Sequence, residues 1–241
     1  MSLLISEHFT TLQGEGPSLG TPSYFIRLHG CNLDCSWCDT PYTWDGSEQG
    51  SEMEVVSLVD KVLESGVSTV VLTGGEPMLQ VRKPGFHKLL RNLSLKNIRI
   101  EVETNGTVVP KPNSPSEFAL DYVSQWNISP KLGHANIKAR LGVTSRLVDS
   151  WLEVARHLSN EHRLVFKMVI DTDDDVEAQL KFIKKLGFKS AERVQVCLMP
   201  EGVTKDKQLA GLSKLWDIAA QYGYSVTPRL HTILFDDKRG I

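Results

Sequence analysis

Short runs of apolar, β-branched and aromatic residues recur along the chain, separated by polar segments, which is the pattern of strands in an α/β protein. The first run, residues 23–28, ends at His29-Gly30 and leads into a segment rich in cysteine. The pattern predicts strands at residues 23–28, 69–72, 98–103, 122–128, 164–170 and 193–198.

Helical periodicity occupies most of the intervals between these runs. Ser51 followed by Glu54 has the form of a capping box, the apolar residues of 55–63 repeat at helical spacing, and Gly66 can end the helix. Further helices are predicted at residues 86–93, 148–158, 173–186 and 205–222. Residues 110–116, rich in Pro, Ser and Asn, are predicted to form a surface loop.

Strands that alternate with helices pair in parallel through right-handed crossovers, so the chain is predicted to form an α/β sheet or a partial barrel. Six strands are too few for a closed eight-stranded barrel. Ligand sites of such sheets lie beyond the carboxyl ends of the strands. Several segments follow predicted strands and should therefore meet at one rim: residues 31–38, 74–77, 103–107, 129–131 and 199–200.

Composition narrows the class of protein. The chain has 241 residues and a net charge of −2, with no basic excess for tracking a polynucleotide, so nucleic-acid binding is not expected. It contains no apolar stretch long enough to span a membrane, and its first residues do not resemble a secretion signal. We expect a cytoplasmic protein with one domain over residues 1–241.

Three of the four cysteines fall in the spacing Cys31-x3-Cys35-x2-Cys38, which can wrap one inorganic centre. A four-iron cluster held by three thiolates would leave one iron open to a small molecule. A zinc loop completed by His29 or Cys197, or three unrelated thiols, remain alternatives. Cys197 lies in an apolar strand and is expected to be a small buried residue.

The segment from Cys31 to Cys38 resembles the CxxxCxxC cluster loop of the radical S-adenosylmethionine superfamily, with Trp37 before the last cysteine. Thr73-Gly74-Gly75-Glu76-Pro77 is similar to that superfamily's GGEP motif. Five further segments resemble 7-carboxy-7-deazaguanine synthases: residues 9–16, 38–40, 103–107, 129–131 and 228–231. The resemblance implies a six-stranded partial parallel β/α barrel of the radical SAM type.

The resemblance also implies a reaction. It is the radical rearrangement of 6-carboxy-5,6,7,8-tetrahydropterin to 7-carboxy-7-deazaguanine with loss of ammonia, in the route to queuosine and related 7-deazapurines. The implied cofactors are a 4Fe-4S cluster, S-adenosylmethionine and Mg²⁺. The implied partners are the pterin substrate, an external one-electron donor such as flavodoxin or ferredoxin, and a second copy of the chain in a homodimer.

Each site residue is assigned by its match to the family motifs. Cys31, Cys35 and Cys38 would ligate the cluster, and the Thr40 hydroxyl would bind Mg²⁺. The residues assigned to the S-adenosylmethionine side are Trp37, Asp39, Gly75, Glu76, Ser129, Lys131 and Gln195. The residues assigned to the substrate are Leu12, Gln13, Gly14, Glu15, Arg27, Thr73 and His231. Among these, Arg27 can present a planar fork to a carboxylate.

Two other functions are compatible with the cysteine loop. An enzyme that activates a partner protein by forming a glycyl radical shares the loop and a glycine-rich cofactor motif, but it would bind a peptide and have no use for Mg²⁺. A non-enzymatic binding module stabilised by zinc would contain stoichiometric zinc and no iron.

Overall fold

The computed structural model describes residues 1–132, 145–158, 163–190 and 194–241. The strands are β1 (Ser2–Leu12), β2 (Pro22–Leu28), β3 (Ser51–Glu54), β4 (Thr69–Gly74), β5 (Arg99–Thr104), β6 (Gln125–Ile128), β7 (Arg163–Ile170), β8 (Val194–Pro200) and β9 (Ser225–Val226). The α-helices are α1 (Val55–Glu64), α2 (Pro84–Leu95), α3 (Phe118–Tyr122), α4 (Ser145–His157), α5 (Val176–Lys185), α6 (Lys205–Tyr222) and α7 (Leu230–Phe235).

All nine strands belong to one sheet in the order β3-β1-β2-β4-β5-β6-β7-β8-β9. The six strands predicted from the sequence are β2 and β4 to β8, which occupy consecutive places and run parallel. They form the predicted six-stranded partial β/α barrel. The strand β1 pairs antiparallel with both β2 and β3 at one edge, and the two residues of β9 extend the other edge in parallel.

The two faces of the parallel strands differ in polarity because successive side chains point to opposite faces. Even-numbered residues such as Ile26, Leu72 and Phe166 belong to the apolar core shared with the helices. Odd-numbered residues such as Arg27 and Lys167 face a cavity on the inner side of the sheet. The cavity is therefore lined by the side chains that interrupt the apolar runs.

Several sequence-based boundaries are corrected by the structure. The predicted capping box is wrong, because residues 51–54 form β3, which pairs with Ser2 to Ile5 of β1, and Glu54 makes no side-chain cap. Tyr122 ends α3 instead of starting a strand. The helix predicted from residue 173 begins at Val176, where the Asp175 carboxylate accepts a hydrogen bond from the backbone N–H of Ala178.

Other predictions are confirmed. The bounds of α6 agree with the predicted 205–222, and Gly223 ends the helix in the left-handed conformation that glycine adopts readily. Cys197 is 2% exposed in β8, as expected for a small buried residue. Arg193, the predicted first residue of that strand, lies outside the described residues. Among the residues that the structure describes, no helix is long and apolar enough to cross a membrane.

Candidate active site

The three cysteines of the loop that follows β2 border one cavity of about 300 Å³. We call residues 31–38 the cluster loop. Its thiols are free and partly exposed, and the sulfurs of Cys31 and Cys38 accept hydrogen bonds from the Leu33 backbone and the Trp44 indole, each at 3.4 Å. Three thiols directed into one cavity form a donor set that suits an iron–sulfur cluster.

Gly75 directly follows β4, and because it has no side chain the end of this strand can lie against the cluster loop. A Cβ at this position would lie 2.2 Å from the carbonyl oxygen of Gly30 and 2.8 Å from the Cβ of Cys31. No larger residue fits there without moving the loop. The Gly75 backbone N–H donates to Leu28 and that of Glu76 to Gly30, which fixes the two segments together.

Glu76 does not line the cavity. It is 1% exposed, and its carboxylate accepts hydrogen bonds from the Met78 backbone at 2.9 Å, the Thr104 hydroxyl at 2.7 Å and the Asn105 backbone at 2.7 Å. Burial raises the pKa of Glu76, and these donors oppose that effect. In this structure the side chain holds the ends of β4 and β5 together.

The electrostatics of the thiols depend on burial and on one cation. Burial raises the pKa of Cys31 to about 11 and also raises that of Cys35, on which Lys131 acts in the opposite direction. The Lys131 ammonium lies 5.0 Å from the centre of the Trp37 ring and donates to the Ser129 hydroxyl at 3.0 Å. Without a metal centre the Cys31 thiol is neutral at pH 7, and metal ligation would deprotonate it.

The loop after β1 forms a second wall of the cavity. Gln13 is 4% exposed, and its amide donates to Glu103 at 3.2 Å. Gly14 contacts the imidazole of His231 so closely that a Cβ would lie 2.2 Å from Nδ1. Burial lowers the pKa of His231, which favours the neutral imidazole at pH 7.

A buried ion network that the sequence did not predict underlies this wall. Lys167 is 2% exposed, and its ammonium lies 2.5 Å from Glu15 Oε2 and 2.6 Å from Glu103 Oε2. Burial alone would lower the pKa of Lys167, but the two carboxylates outweigh burial and raise it. Burial also raises the pKa of Glu103. A lysine within the apolar run 164–170 was the available signal for this network.

Arg229 connects the network to the cluster loop. Its Nε donates to Glu15 at 3.1 Å, and its Nη2 pairs with the carboxylate of Asp39, next to Cys38. Desolvation would raise the pKa of Asp39, but Arg229 outweighs that effect and lowers it. The Arg229 guanidinium lies between the carboxylates of Glu15 and Asp39, and it fixes the cluster loop relative to the loop after β1.

The third wall comes from β1 and β2. Arg27 donates through Nε to Glu7 at 2.7 Å, and its terminal nitrogens have no hydrogen-bond partner among the described residues. Phe9 and Phe25 stack with ring centroids 5.6 Å apart, and both line the cavity. A guanidinium group that lines the cavity beside an aromatic wall suits a flat ring that carries a carboxylate.

The structure brings most of the sequence-predicted site residues to this one cavity. Those that line it are Leu12, Gln13, Gly14, Glu15, Arg27, Cys31, Cys35, Trp37, Cys38, Asp39, Thr40, Thr73, Gly75, Ser129, Lys131 and His231. Besides Glu76, Gln195 is not among them. Gln195 is the second residue of β8, at the end opposite the rim, and its amide donates to Ser225 at 3.0 Å. The assignment of Gln195 by family position therefore does not match its place in this chain.

The two side chains suggested as a fourth zinc ligand do not reach the cluster loop's cavity. His29 shares a hydrogen bond with the Ser6 hydroxyl at 2.9 Å, and Cys197 lies on β8 beside Lys167. Within the described ranges, no three His, Cys, Asp or Glu side chains are arranged to hold a single metal ion. Neither His29 nor Cys197 therefore completes a four-ligand zinc site with the three thiols.

The sequence of the chain matches one family model and several curated proteins. The model of the Radical SAM superfamily matches residues 25–207. The chain is 35% identical over 237 residues to the 7-carboxy-7-deazaguanine synthase of Pyrobaculum aerophilum, covering 98% of this chain and 96% of that protein. It is 32% identical over 232 residues to the synthase of Hyperthermus butylicus, covering 96% and 92%.

A solved structure shares the fold. The crystal structure of QueE from Escherichia coli superposes with a TM-score of 0.64 at 23% sequence identity, covering 96% of this chain and 95% of that chain. At this identity the match establishes the architecture alone.

Proposed function

The chain belongs to the radical S-adenosylmethionine superfamily and, within it, to the 7-carboxy-7-deazaguanine synthase family, and from this membership we propose how its cavity works. The reaction of the family converts 6-carboxy-5,6,7,8-tetrahydropterin to 7-carboxy-7-deazaguanine with loss of ammonia, in queuosine biosynthesis. One observation carries the assignment to this cavity: the three cluster-loop thiols, Gly75 and Arg27 all border it.

Cys31, Cys35 and Cys38 hold the 4Fe-4S cluster in this proposal. When bound, the cluster and S-adenosylmethionine supply the one-electron chemistry that removes a hydrogen atom from the substrate. The glycine at position 75 keeps the rim open beside the loop, since a Cβ there would contact Cys31. Lys131 and Trp37 offer a cation and an aromatic surface on the same side.

The substrate lies against the wall formed by β1 and β2. Arg27 binds its carboxylate through the terminal nitrogens, because Nε is already engaged by Glu7. The stacked rings of Phe9 and Phe25 pack near the pterin. Gln13 and His231 contact the ring edge, with Gln13 oriented by its hydrogen bond to Glu103. These side chains orient the reacting carbon and exclude water around it.

Thr40 binds Mg²⁺ in the proposed site. Its hydroxyl lines the cavity 3.8 Å from the sulfur of Cys38, close to both the cluster and the substrate. Magnesium takes oxygen ligands and retains several waters, so one hydroxyl together with substrate oxygens is a sufficient protein contribution. An external one-electron donor, such as flavodoxin or ferredoxin, reduces the cluster, and the chain works as a homodimer.

Anaerobic turnover tests the function and the magnesium role together. The reconstituted protein, reduced in the presence of S-adenosylmethionine and the carboxylated pterin, is expected to form the 7-deazapurine chromophore, and Mg²⁺ is expected to increase the rate. Thr40→Val should lose the response to Mg²⁺, and Thr40→Ser should retain it. Absence of product from the reduced wild-type protein would overturn the proposal and favour a protein-activating enzyme.

A Mg²⁺ response that persists in Thr40→Val would contradict the magnesium site alone. A matched control is Thr10→Val, because Thr10 is an exposed residue of β1 that does not line the cavity. Its rate and Mg²⁺ response should equal those of the wild type.

A further inference from the structure

The residues that follow α7 lie across the mouth of the cavity. All six residues of 236–241, here called the tail, line it, although most of them are exposed to solvent on their other side. The backbone of Lys205 donates to the Asp236 carboxylate at 2.8 Å, which anchors the start of the tail beside α6. Arg239 supplies a second side-chain attachment.

Arg239 joins the tail to Glu7 of β1 and to Tyr42 and Glu48, which lie between β2 and β3. Its Nε donates to Glu7 Oε2 at 2.8 Å, and its two terminal nitrogens donate to the Glu48 carboxylate at 2.6 and 3.1 Å. Its guanidinium also lies 3.7 Å from the centre of the Tyr42 ring. Arginine suits this position because a planar group with several donors can stack on a ring and bind two carboxylates at once.

Glu7 connects this attachment to the substrate wall. Its other oxygen, Oε1, accepts from Arg27 Nε at 2.7 Å and from the Tyr42 hydroxyl at 2.8 Å. The side chain is only 15% exposed, so its charge interactions are screened less than those of a surface pair. One carboxylate therefore holds both the tail and the arginine that faces the cavity.

We propose that Arg239 and Glu7 are positioning residues that latch the tail over the cavity, and that the latch closes more firmly when a carboxylated ligand binds Arg27. The identity of that ligand rests on the proposed function. A ligand carboxylate that binds the terminal nitrogens of Arg27 holds this side chain in place, and its Nε in turn holds the Glu7 carboxylate that receives Arg239. Binding of the ligand and closure of the tail thus stabilise each other, and the coupling is reciprocal.

Proteolysis of the tail tests the latch without turnover. The endoproteinase Asp-N cleaves before Asp237, and mass spectrometry of the reconstituted protein measures the rate. Without ligand, Arg239→Gln and Glu7→Gln should be cleaved about tenfold faster than the wild type. The carboxylated pterin should protect the wild type about tenfold, and a pterin without the carboxylate should not. Lys181→Gln, which removes the exposed ion pair with Glu177 on α5, should behave as the wild type.

Kinetics separate a positioning role from a merely structural one. Arg239→Gln should raise KM for the carboxylated pterin about tenfold while kcat changes less than twofold, and Arg239→Lys should recover part of the loss. Iron content and Tm should remain those of the wild type. A loss of iron and Tm in parallel with the rise in KM would assign Arg239 a structural role and overturn the proposal.

The possible failures are distinguishable. Equal cleavage of Arg239→Gln and wild type without ligand would show that there is no latch. Faster cleavage of the variant, with no protection of the wild type by the carboxylated pterin, would refute the coupling. If instead the wild type forms no product but the variant is still cleaved faster, the proposed function fails and the latch itself stands.

Discussion

Removing the charge of Lys167 should cost the protein a large part of its stability. The ammonium is almost fully buried within 2.6 Å of two carboxylates, so Lys167→Met leaves Glu103 without its cation, while Glu15 keeps Arg229. Breaking a buried ion pair from one side typically costs about 3–5 kcal/mol, against a total stability of roughly 5–15 kcal/mol. Methionine has similar length and is apolar, so most of that loss reflects the unpaired carboxylate.

Urea denaturation of anaerobic protein, followed by tryptophan fluorescence, measures the free energy of unfolding. The pH dependence of this free energy shows whether the unpaired Glu103 carboxylate causes the loss. Burial already raises the pKa of Glu103, and loss of Lys167 raises it further above the value in the unfolded chain. The folded variant therefore binds more protons than the unfolded one, so its deficit relative to the wild type should be large at pH 8 and should shrink as pH falls toward the unfolded value.

Two comparisons make this reasoning refutable. Lys167→Met combined with Glu103→Gln should recover at least about 2 kcal/mol, because the neutral amide no longer needs a cation and still accepts from Gln13. Lys181→Met breaks an exposed ion pair and should leave the free energy of unfolding at the wild-type value. A loss below about 1 kcal/mol for Lys167→Met, or a double variant no more stable than the single one, would refute the argument.

Three further predictions concern the cavity. Alanine at any cluster-loop cysteine should abolish iron binding after anaerobic reconstitution, whereas Cys197→Ala should retain it; iron retained without the middle cysteine would contradict the ligand set. Gly75→Ala should lose most of its iron because the new methyl group would lie 2.2 Å from a carbonyl oxygen. Gln195→Ala should leave KM for S-adenosylmethionine within about twofold of the wild type, and a tenfold rise would return this residue to the cofactor site.

The parallel strands could be predicted from the sequence because their core-facing residues are apolar and join the core shared with the helices. The strand β1 was missed because its cavity-facing positions carry Glu7 and Thr11, which break the apolar pattern. Residues 51–54 have the local sequence pattern of a helix cap, but in the structure they pair with the start of β1. Such pairing depends on residues far away in the sequence, which a local pattern does not contain.

The candidate site likewise contains features that a local sequence pattern predicts and features that depend on residues far apart in the sequence. Motifs at strand ends, such as the cluster loop and Gly75, were predictable because each carries its chemistry within a few residues. Lys167 and Glu15 are 152 positions apart in the sequence, so no local signal joins them. Gln195 lies outside the cavity in this structure because it is the second residue of β8, and family position does not specify how far along a strand a residue lies from the rim.

The ion pairs of Arg229 have a consequence for the order in which the protein is assembled. They connect positions 190 and 214 residues apart, at Asp39 and Glu15. During synthesis the cluster loop leaves the ribosome long before Arg229 does, so nascent chains expose the three thiols without the contact that fixes their loop. The contact that fixes the cluster loop is therefore complete only after Arg229 has been synthesised.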